Sequence, residues 1–222
     1  MGAYSLLESL LEQLAAEFPQ GEFRAAYGTQ GRSRRVEKPT VAGQVAEERW
    51  QPEGWRARLE FTLFLPRDTG PGEAEPLLSG IEAAAREASP AFAGVERGRI
   101  QADRATGCLA IPCALEFAGS DGADGLEITL GGKTYPAAGW SVAVAAEGRE
   151  LVSVGESTAF AWEDPRTRYT VEITGIDTMG LERLASFTAR LGEAQEEYAG
   201  CRWKSLGQNR AVFVSYERRS VE

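Results

Sequence analysis

Trp55-Arg56-Ala57-Arg58-Leu59-Glu60-Phe61-Thr62-Leu63-Phe64-Leu65-Pro66 is the stretch from which the architecture is read. Trp55, Ala57, Leu59, Phe61, Leu63 and Leu65 occupy every second position, and Arg56, Arg58, Glu60 and Thr62 sit between them. Side chains of a strand point alternately to its two faces, so this pattern predicts a strand with one buried face and one mostly wet face. Pro66 ends it, having no amide hydrogen to continue a ladder. The buried face needs a cover, and the flanking segments supply two amphipathic helices. Leu6, Leu7, Leu10, Leu11, Leu14 and Phe18 recur at three- and four-residue steps behind an apparent capping box at Ser5 and Glu8, until Pro19. After a Pro/Gly-rich passage from Pro66 to Pro76, Leu77, Ile81, Ala84, Ala85 and Ala88 share one helical face that closes at Ser89-Pro90.

A hairpin turning at 103–107 comes next, its second strand carrying Leu109, Ile111, Cys113, Leu115 and Phe117 on one side. The small polar run Gly119-Ser120-Asp121-Gly122-Ala123-Asp124-Gly125 then reads as a linker. Beyond it, Leu126, Ile128 and Leu130 alternate up to Gly131-Gly132, a pair suited to a tight hairpin turn. Short strands are expected at 140–144, 151–154 and 160–162, a clearer one at 169–173, and two last ones near 201–204 and 211–216. Asp177 is placed to cap a helix with Leu181, Leu184, Thr188 and Leu191 on one face. The expectation is an α+β chain in two domains, 1–118 and 126–222 around a 119–125 linker, each a mainly antiparallel sheet with packed helix or helices.

Composition narrows the chemistry. The 222 residues include no histidine, which removes His-based triads, Cys–His nucleophile pairs and most zinc sites. A formal charge of −9 disfavours a general nucleic-acid surface, since phosphate binding needs excess Lys and Arg. Three cysteines are too few and odd for a disulfide framework, and no apolar run is long enough for a membrane span. Ser141 and Ser157 lie in faint nucleophile-elbow surroundings but lack a base. Cys108 and Cys113 fall on opposite faces of one strand, so they cannot share a metal. Asp121 and Asp124 lack the rest of a calcium loop, and the glycines show no phosphate-binding spacing. Glu47-Glu48 and Glu163-Asp164 are nominal carboxylate pairs whose adjacent members point apart on a strand. Trp50, Trp55, Trp140, Trp162 and Trp203 are spread as packing residues. No catalytic residue, cofactor or metal is expected. Arg32, Arg34, Arg35 and Lys38 form the one local basic patch, on a solvated loop or hairpin tip, and are the candidate contact with an acidic neighbour.

In the first 118 residues the order helix, strands, helix, hairpin resembles the tail-terminator and tail-completion proteins of long-tailed bacteriophages and prophages. The likeness is carried by Arg56–Pro66, the Gly/Pro loop and helix, Ile100-Gln101-Ala102-Asp103, and Ile111-Pro112-Cys113-Ala114-Leu115-Glu116-Phe117. The second half, with Ile128–Pro136 and Tyr169–Ile173, resembles β-rich extensions of prophage tail proteins and departs from a terminator's length. The resemblance implies a non-enzymatic structural protein that forms a ring, often a hexamer, against a tail tube and neighbouring tail proteins. It implies assembly in the bacterial cytoplasm and residence in a virion or tail-like particle, with neither sequence-specific nucleic-acid binding nor membrane insertion. The competing expectation is a cytoplasmic small-molecule-binding protein or carboxylate enzyme with a site between the domains.

Overall fold

The computed structural model of the protein describes residues 2–25, 36–51, 53–66, 68–103, 107–119, 126–152, 159–192 and 194–221. Its elements run α1 (Ala3–Glu17), β1 (Glu22–Ala25), β2 (Thr40–Gln51), β3 (Gly54–Leu65), α2 (Ala74–Ala88), β4 (Phe92–Arg97), β5 (Gln101–Asp103) and β6 (Cys108–Gly119). They continue as β7 (Leu126–Leu130), β8 (Lys133–Ala137), β9 (Gly139–Val152), β10 (Ala159–Thr174), β11 (Phe187–Leu191), β12 (Glu196–Gly207), β13 (Arg210–Ser215) and β14 (Glu217–Ser220).

Both helices belong to the first half and cover the apolar face of β3. Leu6, Leu7, Leu10 and Leu14 of α1 and Leu77, Ile81 and Ala85 of α2 are buried in one core with Leu59, Phe61 and Leu63. Helix α1 starts earlier than its sequence signature: Gly2 is the cap, without a side-chain hydrogen bond, and Ser5 lies inside the first turn. Packing is close at Gly43 of β2, where an added Cβ would stand 2.6 Å from the Phe61 ring and 2.9 Å from Leu7.

The second half holds its own core, in which Ile128, Trp140, Val171, Tyr198 and Phe213 are buried together. Strand β12 builds it by serving two ladders: its first part pairs β11 and β14, and its second part pairs β13. Gly200, at φ +60°, takes the left-handed conformation between these two parts. The strand order is β4-β6-β3-β2-β9-β10-β13-β12-β11-β7-β8, with β1, β5 and β14 attached to this path. Among the described residues every pairing is antiparallel except β1 with β2. Four residue pairs, from Glu47↔Ala143 to Trp50↔Trp140, join β2 to β9 and so carry hydrogen bonding from one half into the other.

This architecture corrects the expected fold class. The described residues form one large, mostly antiparallel 14-stranded sheet with two α-helices, not two α+β units each with packed helices. The error lies at 177–191. Asp177 accepts the Met179 amide in a turn, Gly180 reverses the chain at φ +86°, and only a 3-10 turn spans Leu181–Arg183. Phe187, Ala189 and Leu191 then alternate inward as β11. Leucines 181, 184 and 191 fit a helical period by spacing, but the shorter period of two around Phe187 decides the outcome once β7 and β12 offer ladders on both sides. The segment 120–125, within the expected linker, lies outside the described residues.

Candidate functional site

Two features stand out from the sheet: a two-stranded hairpin arm and a buried ionic seam. The hairpin is the distal part of β9 and β10. These strands pair from Gly139↔Thr174 outward to Ala159↔Val152. Yet β2 flanks β9 only across Trp140–Ala143, and β13 flanks β10 only across Tyr169–Thr174. Past that point the two strands pair only with each other among the described residues, over about 25 Å at a strand's rise per residue. Glu147 braces the base, accepting from Arg168 and from the Tyr216 hydroxyl at 2.8 Å. Beyond Glu147, no strand among the described residues lies on either lateral edge.

An unpaired edge presents a row of free amides and carbonyls, and a lone two-stranded ribbon is marginally stable in water. The ends of the main sheet, by contrast, are blunted. Edge strand β8 carries Lys133 and Pro136. At the other end β4 is bulged between Phe92 and Gly94, and its Arg97 is held by Glu75 at 3.0 Å and Glu82 at 3.1 Å. Proline, bulges and charge are the ordinary means of stopping strand addition.

The seam lies where the halves meet, and a β-bulge creates it. Val41, Gly43 and Val45 of β2 face the helices, then the register shifts between Val45 and Glu47. The shift reverses the alternation, so Glu48 rather than Glu47 turns inward and is fully buried. Its Oε1 accepts the Ala3 amide at 3.0 Å, the Trp50 indole at 3.1 Å and the Trp55 indole at 2.8 Å. Its Oε2 is buried with no hydrogen-bond partner. Glu196 of β12, 1% exposed, takes the Tyr198 hydroxyl on one oxygen and approaches Arg218 of β14 at 3.1 Å on the other. The Arg218 guanidinium also lies 3.2 Å from the centre of the Tyr4 ring, a cation–π contact that ties α1 to β14.

Electrostatics follow from this packing. Desolvation, then the nearby charge of Glu196, pushes the Glu48 carboxyl up to about 7 against the pull of its three N–H donors. Burial also raises Glu196, opposed by Arg218 and the Tyr198 hydrogen bond, and burial first of all raises the tyrosines Tyr4, Tyr169 and Tyr198. A neighbouring cleft of about 230 Å³ is lined by Tyr4, Glu8, Gln44, Tyr169 and Arg218, but not by Glu48 or Glu196.

The sequence-derived contact residues divide. Arg32, Arg34 and Arg35 lie outside the described residues, and Lys38 is exposed just before β2. Ser157, Asp121 and Asp124 also lie outside them, whereas Ser141 is a half-buried strand residue of β9. Cys113 and Cys201 are buried, and burial pushes both thiols up to about 11, which keeps them protonated and weakly nucleophilic. Among the described residues no group of three or more His, Cys, Asp or Glu side chains is placed to hold a metal, and no helix is long and apolar enough to cross a membrane. On the uncovered face of the first sheet Arg58 meets Glu60, Glu96 at 3.1 Å and Glu116, a network open to solvent. No protein-family model and no curated protein sequence matches the chain.

Proposed function

We propose that the chain is a non-enzymatic structural subunit that assembles by strand addition, as a ring-forming component of a bacteriophage or prophage tail. The observation that carries this reading is the distal β9–β10 arm, whose two lateral edges pair with no strand among the described residues while the sheet's own ends are blunted. An exposed edge is a template for another chain, and main-chain hydrogen bonds give such augmentation its affinity. A contact repeated head to tail either closes into a ring or grows as a filament. The tail assignment, the ring and its six-fold order come from the sequence resemblance. Arg32, Arg34, Arg35 and Lys38 add a second contact, basic on an acidic chain, that meets a neighbouring subunit or tail protein.

A carboxylate enzyme working between the halves fits the geometry less well. Glu48 is fully buried, its Oε1 is occupied by three donors, and it does not border the adjacent cleft. The test is light scattering and negative-stain microscopy of the full chain, alone and with a tail-tube protein. Closed rings, or capping of tube ends, are expected. A chain that stays monomeric and never joins a tube overturns the reading. Replacing Arg32, Arg34 and Arg35 by Ser should weaken assembly by at most about 1 kcal/mol per side chain, because exposed pairs are worth little. Unchanged assembly would remove the loop from the interface and leave the arm.

A further inference from the structure

We propose that Glu48 and Glu196 form a proton-operated lock between the two halves: a proton held on the pair keeps α1 and β14 seated, and its loss loosens them. The inference concerns the isolated subunit and stands apart from the assembly reading.

The geometry sets up an imbalance of charge. The titratable and charged groups facing the pair are Tyr4 and Glu8 from α1, Tyr169 from β10, Tyr198 from β12 and Arg218 from β14. From β2 and β3 come only the neutral indoles of Trp50 and Trp55. Among the described residues Arg218 is therefore the one cation in the seam, and it is engaged with Glu196. Glu48 has only uncharged donors, all on Oε1, so Oε2 is where a proton resides. With that proton in place the seam holds one carboxylate and one guanidinium. Without it, two buried carboxylates face one cation, an arrangement that low-dielectric surroundings penalise.

The elements that this repulsion acts on are fastened by the same atoms. The first turn of α1 is tied down by the Ala3 amide on Glu48 and by Arg218 on Tyr4. Gly2 adds no slack, since a Cβ there would stand 3.0 Å from the Ala194 carbonyl oxygen. Strand β14 is held to β12 by four residue pairs, the first at Glu196 itself. The direction follows: the lock is closed below neutral pH and opens as pH rises past it. Helix α2 and the 59–65 part of strand β3 share the core of α1 but supply none of the donors to Glu48, and they stay shut.

Hydrogen exchange of the full-length chain tests this, compared at about pH 6 and about pH 8.5 after correction for intrinsic rates. Protection of peptides covering Ala3–Leu11 and Glu217–Ser220 should fall by about tenfold or more at the higher pH, with 59–65 of β3 unaffected. Glu48→Gln keeps an acceptor for the three donors and cannot ionise, so its seam protection should not change with pH. A wild-type seam equally protected at both values overturns the lock, as does a Glu48→Gln protein that still loosens. Should that variant fold poorly, the wild-type infrared band of a buried protonated carboxyl decides. It is present at about pH 6 and gone at about pH 8.5 if the lock exists, and its absence at the lower pH overturns the proposal.

Discussion

Glu48 Oε1 accepts three hydrogen bonds and Oε2 none, so the two substitutions that remove its charge should part company. Glu48→Ala strands the Ala3 amide and two indoles in the core and should cost about 3 kcal/mol or more in chemical denaturation. Glu48→Gln keeps the acceptor. In the wild type, a folded-state carboxyl raised from 4.5 to about 7 binds more protons than the unfolded chain across that interval. Stability therefore falls as pH rises through it, by up to roughly 3 kcal/mol, and the loss should vanish in Glu48→Gln. A urea midpoint that climbs from pH 5 to pH 8 in the wild type would contradict the sign. Gly43→Ala tests packing instead: its Cβ would press on the Phe61 ring and Leu7, and overpacking of about 1–3 kcal/mol should lower the melting temperature. Neither residue could be singled out from sequence. Glu47-Glu48 reads as an adjacent pair pointing apart, which is true, but which of them faces inward depends on a bulge that sequence alternation does not reveal.

At the scale of elements, period and length decided what was legible. Strand β3 and helices α1 and α2 announce themselves through long runs of consistent spacing, and Gly131-Gly132 fixes the β7–β8 turn with φ of +57° and +84°. Strand β11 is five residues long, overlaps a chance helical spacing of leucines, and exists because β7 and β12 flank it. The arm was hidden for a different reason: 140–144, 151–154 and 160–162 read as separate short strands, whereas β9 and β10 run unbroken and bulge between Ala159 and Ala161 and between Glu163 and Arg166. Its distal strands pair with no third strand among the described residues. Replacing 148–165 by an Asn-Gly turn should thus leave the thermal midpoint within about 2 °C of wild type, since no ladder to a third strand is lost among the described residues. A large drop would mean that the arm packs on the body and is no free edge.

On the scale of the whole molecule, the pairing of β2 with β9 turns two hydrophobic cores into one hydrogen-bonded sheet, and Trp50 packs against both cores. Such long-range pairing leaves no local mark in a sequence, so each half reads as closing on its own helix. The same sheet leaves the arm as a place for another chain to add strands, because its path ends carry Pro136 at one side and a bulged, charge-bearing β4 at the other. Copies that each carry a formal charge of −9 repel, so assembly through the arm must rest on main-chain hydrogen bonds and apolar contact. Added salt should accordingly leave it intact or strengthen it. The most direct measurement is amide hydrogen exchange over 145–152 and 159–168, followed as the protein is taken from dilute monomer to assembled particles or tube-bound form. The account predicts that the outward-facing amides of this arm gain protection in step with assembly, while β3 does not change. Particles that form with the arm amides still exchanging at the monomer rate would contradict it.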